Sequence, residues 1–199
     1  MHKAIIFDCN GVFEENSLQE NMDIFSEEFV LDKEKLLPEY LKLEHQAVIG
    51  AKTSLEVCQE LIDIFNIDAT AEEVRKVWVD TYIGIPNTEV HEYAKELSRK
   101  YKMYIFSNHS DLFFDVIKTV GLDKLFKAEN LFISSQIGLL KPTKESFDYV
   151  LNRINLRPEE IIFIDDQEPN VFKARDLGMS AILFKNANQL KSDIKSLET

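Results

Sequence analysis

From residue 89 onward the sequence switches repeatedly between two hydrophobic rhythms, and this alternation limits the fold more than any other feature. The stretches "VHEYAKELSRKY", "SDLFFDVIKTVGL", "TKESFDYVLNRIN" and "EPNVFKARDLG" carry apolar residues at threes and fours, the spacing of a helix with one buried face. Between them, "KMYIFSN", "AENLFISS", "EEIIFIDD" and "MSAILF" are short apolar runs of strand length. Gly121 and Gly178 stop two of the helices, and "NANQLKSDIKSLE" reads as a closing helix. With "AIIF" at residues 4–7, the chain offers about five strands separated by helices. That pattern predicts an α/β protein with a parallel sheet covered on both faces.

Residues 14–84 follow another rule. "LQENMDIFSEEFVLD", "KEKLLPEYLKLEHQAVIG", "TSLEVCQELIDIF" and "TAEEVRKVWVDTYI" are helical stripes, with Thr53 or Ser54 and then Thr70 as caps and no convincing strand among them. Trp78 and Tyr82, four apart, are expected to pack inward. The rhythm changes near Pro86. The expectation is therefore an α/β core domain of residues 1–13 and 89–199, with residues 14–88 inserted as a helical cap domain after the first strand. Open α/β sheets bind ligands at the C-terminal ends of their strands, so such a cap overhangs the site.

Charge supports the same division. Residues 14–88 hold 17 Asp and Glu against 6 Lys and Arg, while the rest of the chain holds 18 against 17. An overall charge of −12 offers no basic footprint for nucleic acid. No apolar run approaches the roughly 18 residues needed to cross a bilayer, and Asp8 cuts short the only N-terminal apolar stretch. The expected setting is the cytoplasm, with neither nucleic acid nor membrane as partner. Two cysteines are too few for a disulfide framework or a cysteine metal site. Cys9, with no base nearby in sequence, reads as a small buried filler.

The ends of the strands carry the chemistry. The first delivers Asp8 and Asn10, the second Ser107 and Asn108, the fourth Asp165 and Asp166; "GLLKPT" after the third adds Lys141. Parallel strands place these residues on one edge. A carboxylate can attack phosphorus and divide hydrolysis into two easier steps. Paired aspartates can hold Mg²⁺, a hard cation that takes one or two carboxylates and leaves room for substrate oxygens. Lys141 adds positive charge, and the Ser107 hydroxyl can hold a phosphoryl oxygen.

Four segments in order resemble the haloacid dehalogenase-like hydrolases, in the subgroup with a helical cap after the first strand. "FDCNGVF" resembles the first motif, "IFSNHS" the second, "GLLKPTKESFDYVL" the third and "FIDDQEPNVFKARDLGM" the fourth, with Asn170 inside it. The likeness covers essentially the whole chain and implies a Rossmann-like core. It also implies a Mg²⁺-dependent phosphatase acting on a small phosphorylated metabolite. By resemblance Asp8 is nucleophile and metal ligand, Asn10 offers its carbonyl to the metal, and Asp166 binds the metal with Asp165 alongside. Ser107, Asn108 and Lys141 hold the phosphoryl group.

Position 10 departs from the family pattern. An amide neither protonates a leaving alkoxide nor takes a proton from water, and that step contributes about 10²–10⁴-fold. Four readings follow: a slowed or leaving-group-selective phosphatase, a binder of phosphorylated ligands or partners without turnover, an Asn10 altered from a parent Asp, and, least favoured, a 2-haloacid dehalogenase, whose halide leaves unprotonated. His109 and His45 are further candidates to border the substrate. Oligomeric state is not written in the sequence.

Overall fold

The computed structural model describes residues 1–15 and 17–198. Asn16, at the edge of the helical block, and Thr199 lie outside them. Strand β1 (Ala4–Phe7) is buried on both faces and pairs in parallel with β4 (Lys102–Ser107) on one side and β6 (Ile161–Asp165) on the other. Strands β5 (Leu131–Ile133) and β7 (Ser180–Leu183) complete a parallel sheet of order β5-β4-β1-β6-β7. The chain winds outward from β1 through β4 to β5, then crosses to β6 and β7 on the opposite side. The reversal falls at β1, the kind of switch point where open sheets leave a crevice.

Alternate side chains of β1 feed two cores. Ile5 and Phe7 pack with Ile105, Ile164, Phe113 and Leu190 under α5 (Thr88–Leu97), α6 (Phe113–Thr119) and α10 (Ala187–Leu197). Ala4 and Ile6 pack with Phe106, Phe163, Phe147 and Ala174 under α8 (Lys144–Ile154) and α9 (Glu168–Asp176). Burial on both faces is why these strands read as continuous apolar runs instead of alternating ones.

Between β1 and α5 lie four helices: α1 (Leu18–Glu28), α2 (Lys33–Val48), α3 (Ser54–Phe65) and α4 (Ala71–Tyr82). They enclose their own core of Met22, Phe25, Tyr40, Val57, Leu61 and Trp78. Thr53 with Glu56 and Thr70 with Glu73 form reciprocal capping boxes that satisfy the first orphan N–H groups of α3 and α4. One feature is absent from the sequence reading: Glu14–Glu15 (β2) and Ile85–Pro86 (β3) pair as an antiparallel ribbon where the chain enters and leaves the helices. Strands of two residues have no period to read.

The helices are docked over the C-terminal edge of the sheet. The Ser54 N–H and hydroxyl both donate to Asp111, at 2.7 and 2.8 Å. Arg75 meets Asp115 at 2.6 Å, and Ser134 Oγ, on the one-turn helix α7 (Ser134–Ile137), donates to Val48 O at 2.6 Å. Leu112 enters the helical core from below.

Candidate active site

Three central strands converge on one lysine. Asp8 follows β1 directly; its N–H donates to Ile164 O at 2.8 Å, carrying the β1–β6 ladder one residue further. Asp165 ends β6. Lys141, from the loop between α7 and α8, sits between them with a side chain only 1% exposed. Its Nζ lies 2.7 Å from Asp165 Oδ2 and 3.1 Å from Asp8 Oδ1. The rings of Phe106 and Phe163 flank the ammonium, with centroids 5.4 and 5.8 Å away. Burial alone lowers an ammonium pKa. Here the charges of Asp8 and Asp165, with hydrogen bonds to both, outweigh it and hold Lys141 above the ordinary value. Lys141 is a fixed positive charge.

Neighbouring amides hold this arrangement. Asn108 clamps the Lys141 backbone reciprocally: its Nδ2 donates to Lys141 O at 3.0 Å, and its Oδ1 accepts from Lys141 N at 2.9 Å. Asp165 is fully buried and accepts from Lys141, from Gln167 N at 2.8 Å and from Asn170 Nδ2 at 2.9 and 3.0 Å. Ser107, at the end of β4, has a buried hydroxyl without a partner among the described residues. That hydroxyl is free to bond a ligand oxygen.

The loop after β1 shapes the other half of the site. Cys9 N donates to Asp8 Oδ1 at 2.7 Å, the oxygen that Lys141 also holds. Gly11 has φ +76°, and a Cβ there would lie 2.5 Å from Asp166 Oδ2. Only glycine lets the loop pass so close to that carboxylate. Asn10 faces the cavity, yet its Oδ1 is buried without a partner among the described residues. Cys9 is a buried filler, its thiol pushed well up by burial and by Glu14 and Asp8. Glu14 is fully buried with neither oxygen partnered among the described residues; desolvation, helped by Asp8, raises its carboxyl to about 8.

Asp8, Asp165 and Asp166 each bring one carboxylate oxygen to within 4.8 Å of the other two. Desolvation raises both Asp165 and Asp166, and a neighbouring carboxylate adds to the rise, from Asp8 in the first case and Asp165 in the second. Lys141 supplies one positive charge against three carboxyls. An all-oxygen cluster with excess negative charge fits a hard divalent cation, which offsets both desolvation and repulsion.

Above this floor is a cavity of about 390 Å³. Asp8, Asn10, Gly11, Ser107, Asn108, Lys141, Asp166, Gln167 and Asn170 line it from the sheet edge; Leu18, Asn21, Glu44 and Tyr82 line it from the helices. All seven site residues expected from the sequence lie at this edge, with Asp165 just beneath the surface. Neither candidate histidine lines the cavity. His45 is exposed, and the residue before it, Glu44, faces the site. His109 is buried against Tyr82 and Phe113, with its pKa lowered by desolvation to about 4, so it is neutral. Trp78 packs inward as expected, while Tyr82 also reaches the cavity. Glu44, Glu14, Asn21 and Gln167 were not singled out by the sequence.

A switch-point carboxyl cluster with one buried lysine, under a helical roof, defines an α/β enzyme of the hydrolase kind. The chain belongs to the haloacid dehalogenase-like hydrolases, whose family model it matches over residues 2–178. It is 23% identical over 205 residues to the D-ribitol-5-phosphate phosphatase of Bacteroides thetaiotaomicron, covering 98% of this chain and 97% of that one. A haloacid dehalogenase-like family enzyme from the same organism, solved with magnesium and inorganic phosphate, superposes with a TM-score of 0.79 at 25% identity, covering 94% and 96% of the two chains. The 2-haloacid dehalogenase of Pseudomonas syringae pv. Tomato superposes with a TM-score of 0.74 at 15% identity over 99% and 100%, a likeness of fold alone. Among the described residues no helix is long and apolar enough to cross a membrane.

Proposed function

We propose that this chain is a Mg²⁺-dependent phosphatase of small cytoplasmic phosphate esters, working through an aspartyl-phosphate on Asp8 and made leaving-group-selective by Asn10. The observation that carries this reading is the Lys141 bridge between Asp8 and Asp165 at the switch point. Residues 1–13 and 89–199 act as the catalytic core domain and residues 14–88 as its cap. The full-length likeness to a D-ribitol-5-phosphate phosphatase favours a hydroxylated metabolite as substrate.

In this account Ser107 and Lys141 hold the phosphoryl oxygens, and Asn108 keeps Lys141 in place. Lys141 and the Cys9 N–H fix Asp8 through Oδ1, which leaves the second oxygen to attack phosphorus. The new O–P bond forms as the bond to the leaving oxygen breaks, and water later releases phosphate from Asp8. Asp8, Asp166 and the Asn10 carbonyl, with Asp165 alongside, would hold Mg²⁺, which would supply positive charge where an anionic nucleophile meets an anionic substrate. Asn10 offers no proton to the leaving oxygen and takes none from water. Esters whose leaving group needs no proton therefore lose least.

The test is hydrolysis of p-nitrophenyl phosphate with and without Mg²⁺. The expected result is Mg²⁺-dependent turnover that Asp8→Asn lowers by roughly 10³-fold or more. Turnover unaffected by Asp8→Asn overturns the reading. Binding of phosphate esters without turnover in either protein favours the ligand-binding alternative.

A further inference from the structure

The roof of the cavity differs from its floor in sign. Six Lys and Arg residues occur in positions 14–88, and each is paired with a carboxylate away from the cavity. Lys33 meets Asp23, Lys35 Asp32, Lys42 Glu39, Lys52 Glu60, Arg75 Asp115 and Lys76 Asp80. None of the six lines the cavity. Among the described residues the only cation that does is Lys141, held between Asp8 and Asp165 on the floor. Among them the roof thus presents a single ionisable carboxyl, Glu44 of α2, beside the neutral Asn21, Leu18 and Tyr82.

We propose that Glu44 selects the leaving group of the substrate: it accepts an uncharged, hydroxyl-bearing chain and rejects one that carries a second anionic group. This rests on the phosphatase reading above and adds the chemical class of what is released. The geometry supplies both halves. Glu44 faces the same cavity as Asp8 and Lys141 and has no ion pair among the described residues, so its oxygens are available to a ligand hydroxyl. A second carboxylate or phosphate on the substrate would enter a space bounded by Glu44, Asp8 and Asp166. Lys141 is already shared between two carboxylates and the phosphoryl group, and a cation held by Asp8 and Asp166 would be committed to that same phosphoryl group at the floor. Like charges a few ångströms apart in a half-desolvated cleft repel strongly. Burial raises Glu44 to about 7, so its carboxyl both donates and accepts hydrogen bonds around neutral pH and is ionised in mildly alkaline buffer. A hydroxyl complements either form, whereas an anion is repelled by the ionised form that prevails in mildly alkaline buffer.

The experiment compares a matched pair of ligands, a pentitol 5-phosphate and the corresponding pentonate 5-phosphate, which differ only in CH₂OH against COO⁻. Inhibition of p-nitrophenyl phosphate hydrolysis gives the two affinities in wild type, Glu44→Gln and Glu44→Lys, at about pH 8.5 with Mg²⁺. The expected result is a preference of roughly tenfold or more for the pentitol ester in wild type. Glu44→Gln should bring the ratio toward one, and Glu44→Lys should reverse it. Equal affinities in wild type, or an unchanged ratio in Glu44→Gln, overturn the proposal while p-nitrophenyl phosphate turnover keeps the phosphatase reading intact. Where that turnover is absent the phosphatase reading fails, and the two dissociation constants from calorimetric titration decide the role of Glu44 by the same ratio. The glutamine variant keeps side-chain size, so the outcome does not depend on whether a lysine is tolerated there.

Discussion

Two buried carboxyls beneath the site differ in company. Asp165, at the end of β6, has donors on both oxygens from Lys141, Asn170 and the Gln167 backbone. Glu14, just past the loop after β1, is as deeply buried and has none among the described residues. Partnered, Asp165 can stay charged and anchor Lys141. Unpartnered, Glu14 is held neutral, because taking a bare carboxylate out of water costs more than keeping its proton. Asn10, four residues before Glu14, also has a buried oxygen without a partner among those residues. One side of the cavity is a completed electrostatic cradle, and the other is a loop in which polar groups are retained without mutual satisfaction. In the proposed mechanism the first would fix the nucleophile and the phosphoryl site, and the second would lack the proton-transfer group that a fast monoesterase needs.

The largest effect is expected where the cradle is broken. Lys141→Met removes the one cation shared by Asp8 and Asp165 and leaves both carboxylates uncompensated. A loss of about 3–5 kcal/mol in stability by urea unfolding is expected, together with a fall of about 10³-fold in kcat/KM. Wild-type stability with only a small loss of activity would mean that the pair is not the organising charge of the site.

A smaller effect is expected in the loop. The folded Glu14 carboxyl titrates at about 8 against an ordinary 4.5. As pH rises from about 4.5 the unfolded chain ionises first, so stability falls through this window and levels off above about 8. Glu14→Gln removes that titration. Urea unfolding in chelator-containing buffer at about pH 5.5 and pH 8 should show a pH-dependent loss about 3 kcal/mol smaller in the variant. An identical slope in both proteins would mean that Glu14 is ionised in the folded chain, and the contrast with Asp165 would disappear.

The sheet and the edge where the site lies were legible in the sequence because buried parallel strands are apolar throughout and end in polar residues together. The pairing inside the cradle was less so: Lys141 and Asp165 are 24 positions apart, and only the folded register shows that one holds the other. Glu44 was hidden by helical geometry. Neighbours on a helix differ by about 100° in direction, so a stripe of polar residues in α2 does not tell whether Glu44 or His45 faces the site. Glu14 was hidden by the ribbon of β2 and β3. An acid after Val12 and Phe13 reads as a solvated turn until those two-residue strands close over it. Asp8, Ser107 and Lys141 follow from strand ends; the roof follows from tertiary packing, which local pattern does not carry.

Asn10 is the residue on which the account turns, and Asn10→Asp tests it most directly. The measurement is kcat/KM of wild type and variant on an alkyl phosphate, whose leaving oxygen needs a proton, and on an acyl phosphate, whose leaving carboxylate does not. Rapid-mixing bursts separate phosphoryl transfer to Asp8 from its later hydrolysis. The account predicts a gain of roughly 10²-fold or more in the transfer step for the alkyl ester and a much smaller one for the acyl phosphate. Equal gains in that step for both substrates, or none for either, would contradict it.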